Sequence, residues 1–97
     1  MTQSSTDSEG KQLTQAEAYQ LDYDLHTLYQ NNLPMWVITH NTKYVARPHL
    51  TSSGGVRAFK HYMLADTLEA IRAMLPPGLV CIPRYVDDDP VIVEVWL

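Results

Sequence analysis

The sequence predicts an α+β domain with the element order α-β-β-α-β-β. Two stretches with apolar residues at helical spacing are each followed by two short runs of strand-forming residues. Because two short hairpins are not stable alone, we expect one four-stranded, mainly antiparallel sheet with both helices on one face. A parallel pairing of the inner strands is an alternative, since the second helix could connect them as a crossover.

The composition is that of one ordinary globular domain. The 97 residues are 45% apolar and 19% charged, which excludes a wholly disordered chain and a long coiled coil. We expect no membrane contact, because no apolar run approaches the ~20 residues that cross a bilayer. A lone cysteine and a start without a secretory signal favour a cytoplasmic protein, similar to many small cytosolic bacterial proteins.

The first helix is predicted to begin at Thr14, after a polar tail. Residues 1–12 hold too little apolar surface to order themselves, so we predict a disordered tail there and a single domain over 13–97. Thr14 lies three residues before Glu17, which is the spacing of a capping box. The helix should end shortly before Pro34. Its apolar stripe consists of Ala18, Leu21, Leu25 and Leu28.

A hairpin and a loop are predicted next. Met35–Thr39 and Lys43–Arg47 are rich in strand-forming residues and are separated by a polar turn. Pro48 lacks a backbone donor, so it suits a strand end or a sheet edge. The Gly- and Ser-rich residues 51–57 predict a mobile loop.

The second helix is predicted to begin at Asp66, whose spacing to Glu69 is a variant of the capping box. Pro76-Pro77-Gly78 should end it. Its predicted buried residues are Leu68, Ile71 and Leu75.

The last two strands are predicted over Leu79–Ile82 and Pro90–Leu97. Alternate residues of the final strand face opposite sides of the sheet, and both sides are largely apolar. We therefore expect this strand inside the sheet rather than at its edge. If one face of the sheet is open, Trp36 and Trp96 could share it, and a second protomer would cover them.

The sequence contains no pattern that requires catalysis, a cofactor or a metal. His40, His49 and His61 match no metal-ligand spacing, and Asp87-Asp88-Asp89 lack the alternating spacing of a calcium loop. Cys81 lies in an apolar run, where a thiol is usually inert. We expect a non-catalytic protein without a cofactor. A small enzyme stays an alternative only if His49, His61 and a loop serine converge.

The first helix carries a second stripe, nearly opposite its apolar one. Tyrosine, tyrosine, histidine and glutamine follow at i, i+4, i+7 and i+11, which places them on one side of a helix. Tyrosines are enriched at interface centres, because they bring area, rigidity and a hydroxyl group. We therefore predict a surface that binds a protein partner or a second copy, against the alternative of tyrosines merely tolerated in solvent. Its residues are Tyr19, Tyr23 and His26, with Trp96 as a second candidate.

The middle of the chain predicts an alternative function. No Asp or Glu occurs between Leu25 and Ala65, whereas cations and aromatic residues are interleaved there. Such a surface attracts anions and suits single-stranded nucleic acid. The alternative function is therefore binding of nucleic acid or of a phosphorylated ligand, against the simpler interpretation of a solvated hairpin and loop, since nucleic-acid binders are usually more basic overall. The candidate anion-binding residues are Lys43, Arg47, Arg57 and Lys60.

Overall fold

The first helix precedes four strands and the second precedes two in the computed structural model, which describes residues 11–29, 32–52, 54–83 and 90–97. Two helices and six strands lie within these residues. In chain order they are α1 (Gln15–Leu28), β1 (Leu33–His40), β2 (Tyr44–Ser52), β3 (Gly55–Ala58), β4 (Met63–Ala65), α2 (Leu68–Met74), β5 (Cys81–Pro83) and β6 (Ile92–Trp96).

The α+β class and the antiparallel pairing are confirmed, but the four-stranded sheet and the predicted element order are wrong. The sheet has six strands, and α2 follows four strands rather than two, so the placement of the helices also differs from the prediction. The difference begins at residues 51–57, which continue β2 and return as β3 instead of forming a mobile loop. Thr51 pairs with Val56, and Gly55 takes a positive φ of 124° that glycine adopts at little cost.

The strands form a path in the order β3-β2-β1-β6-β5. The long β2 pairs at one edge with two short strands, since β3 and β4 align with different parts of it. β6 lies between β1 and β5, which confirms the inner position predicted for the last strand. All these strand pairs are antiparallel, so the parallel alternative for the inner strands is wrong.

The start of α1 is the predicted capping box. The Thr14 hydroxyl accepts the Glu17 backbone N–H at 3.2 Å, and a Glu17 carboxylate oxygen accepts the Thr14 N–H at 2.9 Å. Ala18 and Leu25 are buried as predicted. The prediction fails for Leu28, the last residue of the helix, which is 72% exposed.

The start of α2 lies one residue later than predicted. Thr67 is the N-cap, and its hydroxyl accepts the backbone N–H of Ala70 at 3.1 Å. Asp66 stands one residue too early to cap the helix, and its carboxylate instead pairs with Lys43. Ile71 is fully buried, and the helix packs beside β4 and β2.

The core forms where both helices meet one side of the sheet. Ala18 of α1 and Ile71 of α2 belong to the same cluster as the alternating β1 residues Trp36 and Ile38. Trp36 is only 1% exposed, so the hypothesis that it lies on an open sheet face is wrong. Trp96 pairs with Trp36 in the β1–β6 register and packs half-buried against the same cluster. Neither tryptophan therefore lies on the side of the sheet away from the helices.

The strict alternation predicted for β6 is broken by a register shift. Ile38 pairs with Glu94, whereas the next β1 residue pairs with Ile92, which leaves Val93 as an extra residue. Glu94 lies on the helix side together with Trp96, in the regular part of the register, and both of its carboxylate oxygens accept hydrogen bonds from the Arg72 guanidinium. These bonds hold the pKa of Glu94 below its usual value.

The described chain begins with a short pairing beside β4. Tyr62 donates its backbone N–H to the carbonyl of Lys11 at 2.9 Å, and Leu13 donates to the carbonyl of Tyr62 at 2.7 Å. Leu13 is buried in the core cluster. Of the predicted tail, Lys11 and Gln12 thus take part in the sheet edge, while residues 1–10 lie outside the described residues, as do the aspartates of 84–89.

Candidate partner-binding groove

The two tyrosines predicted for the outer side of α1 do lie on its exposed side. Tyr19 is 39% and Tyr23 is 66% exposed, while Ala18 and Leu25 on the other side are buried. This orientation follows from the helical period, because residues four apart share a side whatever surrounds the helix. Gln30, the last residue of the stripe, lies outside the described residues.

These side chains form one wall of a groove with a volume of about 450 Å³. The other wall is the turn between α2 and β5, where two prolines cannot continue the helix and Gly78 reverses the chain with a φ of 84°. The groove is lined by Tyr19, Asp22, Tyr23, His26, Pro76, Pro77, Gly78 and Leu79.

The two walls are connected by one side chain. Gln15, in the first turn of α1, donates from Nε2 to the backbone carbonyl of Ala73 in the last turn of α2 at 2.9 Å. The same amide nitrogen donates to the hydroxyl oxygen of Tyr19 at 3.2 Å. Gln15 therefore fixes both the distance between the helices and the position of one tyrosine.

The middle of the groove is anchored to the core. Asp22 accepts the indole N–H of Trp36 through Oδ1 at 3.1 Å. Its side chain is only 16% exposed. A carboxylate that receives a hydrogen bond from a buried tryptophan has little rotamer freedom. Asp22 thus gives the groove a fixed negative charge.

The imidazole of His26 has a defined orientation beside Asp22. Its Nδ1 lies 2.8 Å from the backbone carbonyl oxygen of Asp22, which can only accept a hydrogen bond. Nδ1 therefore donates, and Nε2 of the neutral ring is left as an acceptor. The side chain is 50% exposed, so a ligand can reach it.

The polar groups of the groove include hydroxyl donors in addition to the acceptors on Asp22 and His26. Tyr19 accepts a hydrogen bond from Gln15, so its own hydroxyl proton is available to donate to a ligand, and the more exposed Tyr23 adds a second hydroxyl. The described lining residues include neither lysine nor arginine. Together with the apolar rings, this arrangement is suited to binding a surface that offers both carbonyl acceptors and cationic groups.

The second predicted partner-binding candidate, Trp96, is not in the groove. Its indole N–H donates to Glu94 at 3.0 Å, and its ring packs against the core. The structure therefore brings together Tyr19, Tyr23 and His26 but leaves Trp96 elsewhere.

Of the predicted anion-binding residues, Lys43 and Arg57 lie far apart, whereas the backbone of Lys60 is bonded to Arg47. Lys43 precedes β2 and pairs with the Asp66 carboxylate at 2.5 Å. Arg57 pairs in register with Leu50, so it lies roughly 23 Å from Lys43 at ~3.3 Å per strand residue. The structure therefore presents these two cations at opposite ends of β2.

Arg47 is occupied by the protein's own backbone. Its Nη1 donates to the carbonyl oxygens of Phe59 and Lys60, both at 3.0 Å. The guanidinium also lies 5.4 Å from the centre of the Tyr62 ring. These contacts hold the segment that connects β3 to β4 in place beside β2. Arg47 thus has a structural role.

The sequence signals considered for metal binding do not form a cluster in the described ranges of the chain. Among the described residues, no three His, Cys, Asp or Glu side chains are placed to hold a metal ion. His49 lies 3.1 Å from the carbonyl oxygen of Arg47, and burial lowers the pKa of its ring. In the described part of the chain, no helix has the length and apolar character to cross a membrane.

Sequence reasoning missed half of the groove. Asp22 lies four residues before His26 and one before Tyr23, a spacing that could have placed it on the same side of α1. The sequence predicts Pro76–Gly78 only as a helix stop, because nothing local shows which surface a turn will face.

No family model matches the chain, and no curated protein or solved structure matches it either.

Proposed function

We propose that this protein is a small, non-catalytic interaction module that binds an extended segment of a protein partner in the groove between α1 and Pro76–Leu79. The observation that carries the proposal is that Tyr19, Tyr23 and His26 share a groove with a second, apolar wall. As an accessory or regulatory subunit it would act in the cytoplasm, in agreement with its single cysteine.

The shape of the groove favours a chain segment over a small molecule. Small-molecule sites bury 70–90% or more of a drug-sized ligand, whereas Tyr23, with 66% of its surface in solvent, leaves this groove open along one side. An extended segment can lie along such an opening and still cover both tyrosine rings.

The groove is preorganised, which lowers the cost of binding. The Thr14–Glu17 capping box fixes the start of α1, and the Gln15–Ala73 bond fixes the distance to the opposite wall. Side chains that are ordered before binding lose less conformational entropy when a partner arrives. A small contact area can then give measurable affinity.

The experiment compares two exposed apolar side chains on one helix. Peptides of about ten residues are selected from a random library on the wild-type protein, and their affinities are measured by calorimetry for Tyr23→Ala and Leu28→Ala. We expect Tyr23→Ala to weaken binding about tenfold or more, as for an aromatic hot spot. Leu28→Ala should change it less than about twofold, because Leu28 does not line the groove.

The position of binding is tested on the same complexes. We expect selected peptides to shift the NMR signals of Tyr19, Tyr23 and His26, and sedimentation shows whether the natural partner can be a second copy. Peptides that bind Tyr23→Ala as tightly as the wild type contradict the proposal. So does a library from which no peptide perturbs the groove.

A further inference from the structure

We infer that the segment bound in this groove is proline-rich, adopts a polyproline II conformation and carries basic residues at its flanks. The inference rests on the proposed function and names the partner chemistry of the same groove. Three properties of the groove lead to it: the kind of polar groups, the shape and rigidity of its walls, and its charge.

The tyrosine hydroxyls favour a ligand with free carbonyl acceptors, whereas the Asp22 carboxylate and Nε2 of His26 are acceptors that suit its cationic side chains. Tyr19 receives a hydrogen bond from Gln15, which leaves its hydroxyl proton for a ligand, and Tyr23 offers a second hydroxyl. The backbone carbonyl of Asp22 is already used by His26. Proline has no N–H, and a polyproline II chain makes no internal hydrogen bonds, so its carbonyls are free to accept.

The walls suit flat, rigid rings. Tyr19 and Tyr23 are one helical turn apart, about 6 Å along the axis at 1.5 Å per residue, and they face Pro76 and Pro77. Aromatic-lined grooves are the general means by which proteins bind polyproline II segments. Because such a segment is ordered before binding, it loses little entropy, which matters for a groove this open.

The charge of the groove favours basic flanks. Asp22 is fixed in the groove by Trp36, and no lysine or arginine is present among the described lining residues. The whole chain has a net charge of −4, so it attracts a basic segment and repels an acidic peptide or a nucleic acid.

The test uses fluorescence anisotropy with a labelled synthetic peptide of about ten residues, mostly proline, with arginine at each end. One control peptide replaces the prolines with alanine, and another replaces the arginines with glutamate. We expect the alanine peptide to bind about tenfold more weakly, and the glutamate peptide to lose most binding at low salt. Added salt should weaken the arginine peptide more than an uncharged one.

Two variants test the hydroxyl groups separately from the rings. Tyr19→Phe and Tyr23→Phe keep the aromatic surface but remove the donors, and we expect each to weaken the arginine peptide several-fold. Leu28→Ala is the matched control and should bind like the wild type. Equal binding by the phenylalanine variants contradicts the donor argument and overturns the inference.

The inference and the proposed function fail in distinguishable ways. If library-selected peptides shift Tyr19, Tyr23 and His26 but contain no proline, or bind better with acidic flanks, the inference is overturned and the proposed function stands. If neither the proline peptide nor any selected peptide shifts these signals, both are overturned.

Discussion

The aromatic side of α1 and the basic middle of the chain both have the composition of a binding surface, yet the fold uses them differently. Tyr19 and Tyr23 stay exposed and meet a distant turn to form a groove. Arg47 and Lys43 are engaged within the protein, one with backbone carbonyls and the other with Asp66. A favourable composition thus marks a binding surface only if the fold leaves its groups unused and close together.

The geometry of the two elements explains the difference. A helix returns to the same side every three or four residues, so side chains with that spacing in the sequence form one contiguous surface. A strand advances ~3.3 Å per residue, and cations spread along it or beyond its ends move apart. Lys43 and Arg57 of the middle segment are therefore far apart in space, although both belong to the same acid-free stretch of sequence.

The largest expected effect on stability is at Arg47. Arg47→Ala removes a guanidinium that serves two carbonyls and the Tyr62 ring, so we expect the free energy of unfolding to fall by about 2 kcal/mol. Arg57→Ala, an exposed arginine of the same segment, should change it by less than about 0.5 kcal/mol. Urea denaturation measures both.

The same two variants also test whether the basic middle of the chain, and not the groove, is the binding surface. We expect neither variant to change the affinity of peptides for the groove. If Arg47→Ala leaves stability intact and instead abolishes binding of a single-stranded oligonucleotide at low salt, the middle segment is the binding surface after all.

A smaller effect is expected where the groove meets the core. Asp22→Ala leaves the buried indole N–H of Trp36 without its acceptor, so we expect a loss of about 1 kcal/mol in unfolding free energy together with weaker peptide binding. Asp22→Asn keeps an acceptor oxygen and should retain most of the stability. The NMR shift of the Trp36 indole proton reports the bond directly. An unchanged shift in Asp22→Ala would show that the groove is not anchored in this way.

The smallest expected effect is the acid sensitivity of α1. The hydrogen bond from Lys11, helped by the Thr14 N–H, lowers the pKa of Glu17 to about 2 from an ordinary value of 4.5. A lowered carboxyl pKa stabilises the fold above pH 4.5, and this contribution is lost as the pH falls from 4.5 towards 2. The thermal midpoint of the wild type should therefore approach that of Glu17→Gln over this range.

Lys11→Met is the matched control for this acid effect. It removes the hydrogen-bonding partner of Glu17 but keeps the capping box, so much of the difference in acid sensitivity should vanish with it. If Lys11→Met retains the full acid sensitivity of the wild type, Lys11 is not its cause.

Several features of the fold and site could be predicted from local sequence. The capping box at Thr14, the buried Ala18 and Leu25 and the exposed tyrosines all depend on spacing within one helix. The residues of β6 are largely apolar on both faces, which indicates a strand that is covered on both faces. Such a strand is expected inside a sheet, and β6 does lie between β1 and β5.

Other features were predicted wrongly where two local interpretations competed. Residues 51–57 have loop composition, but Thr51 and Ser52 continue β2, and backbone pairing with β2 makes residues 55–57 part of β3. Asp66 and Thr67 are both good caps, and the pairing of Asp66 with Lys43 leaves the cap to Thr67. In each case a partner distant in sequence decided the outcome.

By itself, the sequence determined the α+β class, the position and sidedness of α1 and the character of the residues available for binding. These depend on backbone periodicity and capping, which act over a few residues. Only the tertiary structure decided that Pro76–Leu79 faces Tyr19 and Tyr23, that Asp22 is held by Trp36 and that Lys43 and Arg57 lie apart. Those outcomes depend on which segments pack together, because long-range contacts are set by burial of the whole core and not by local spacing.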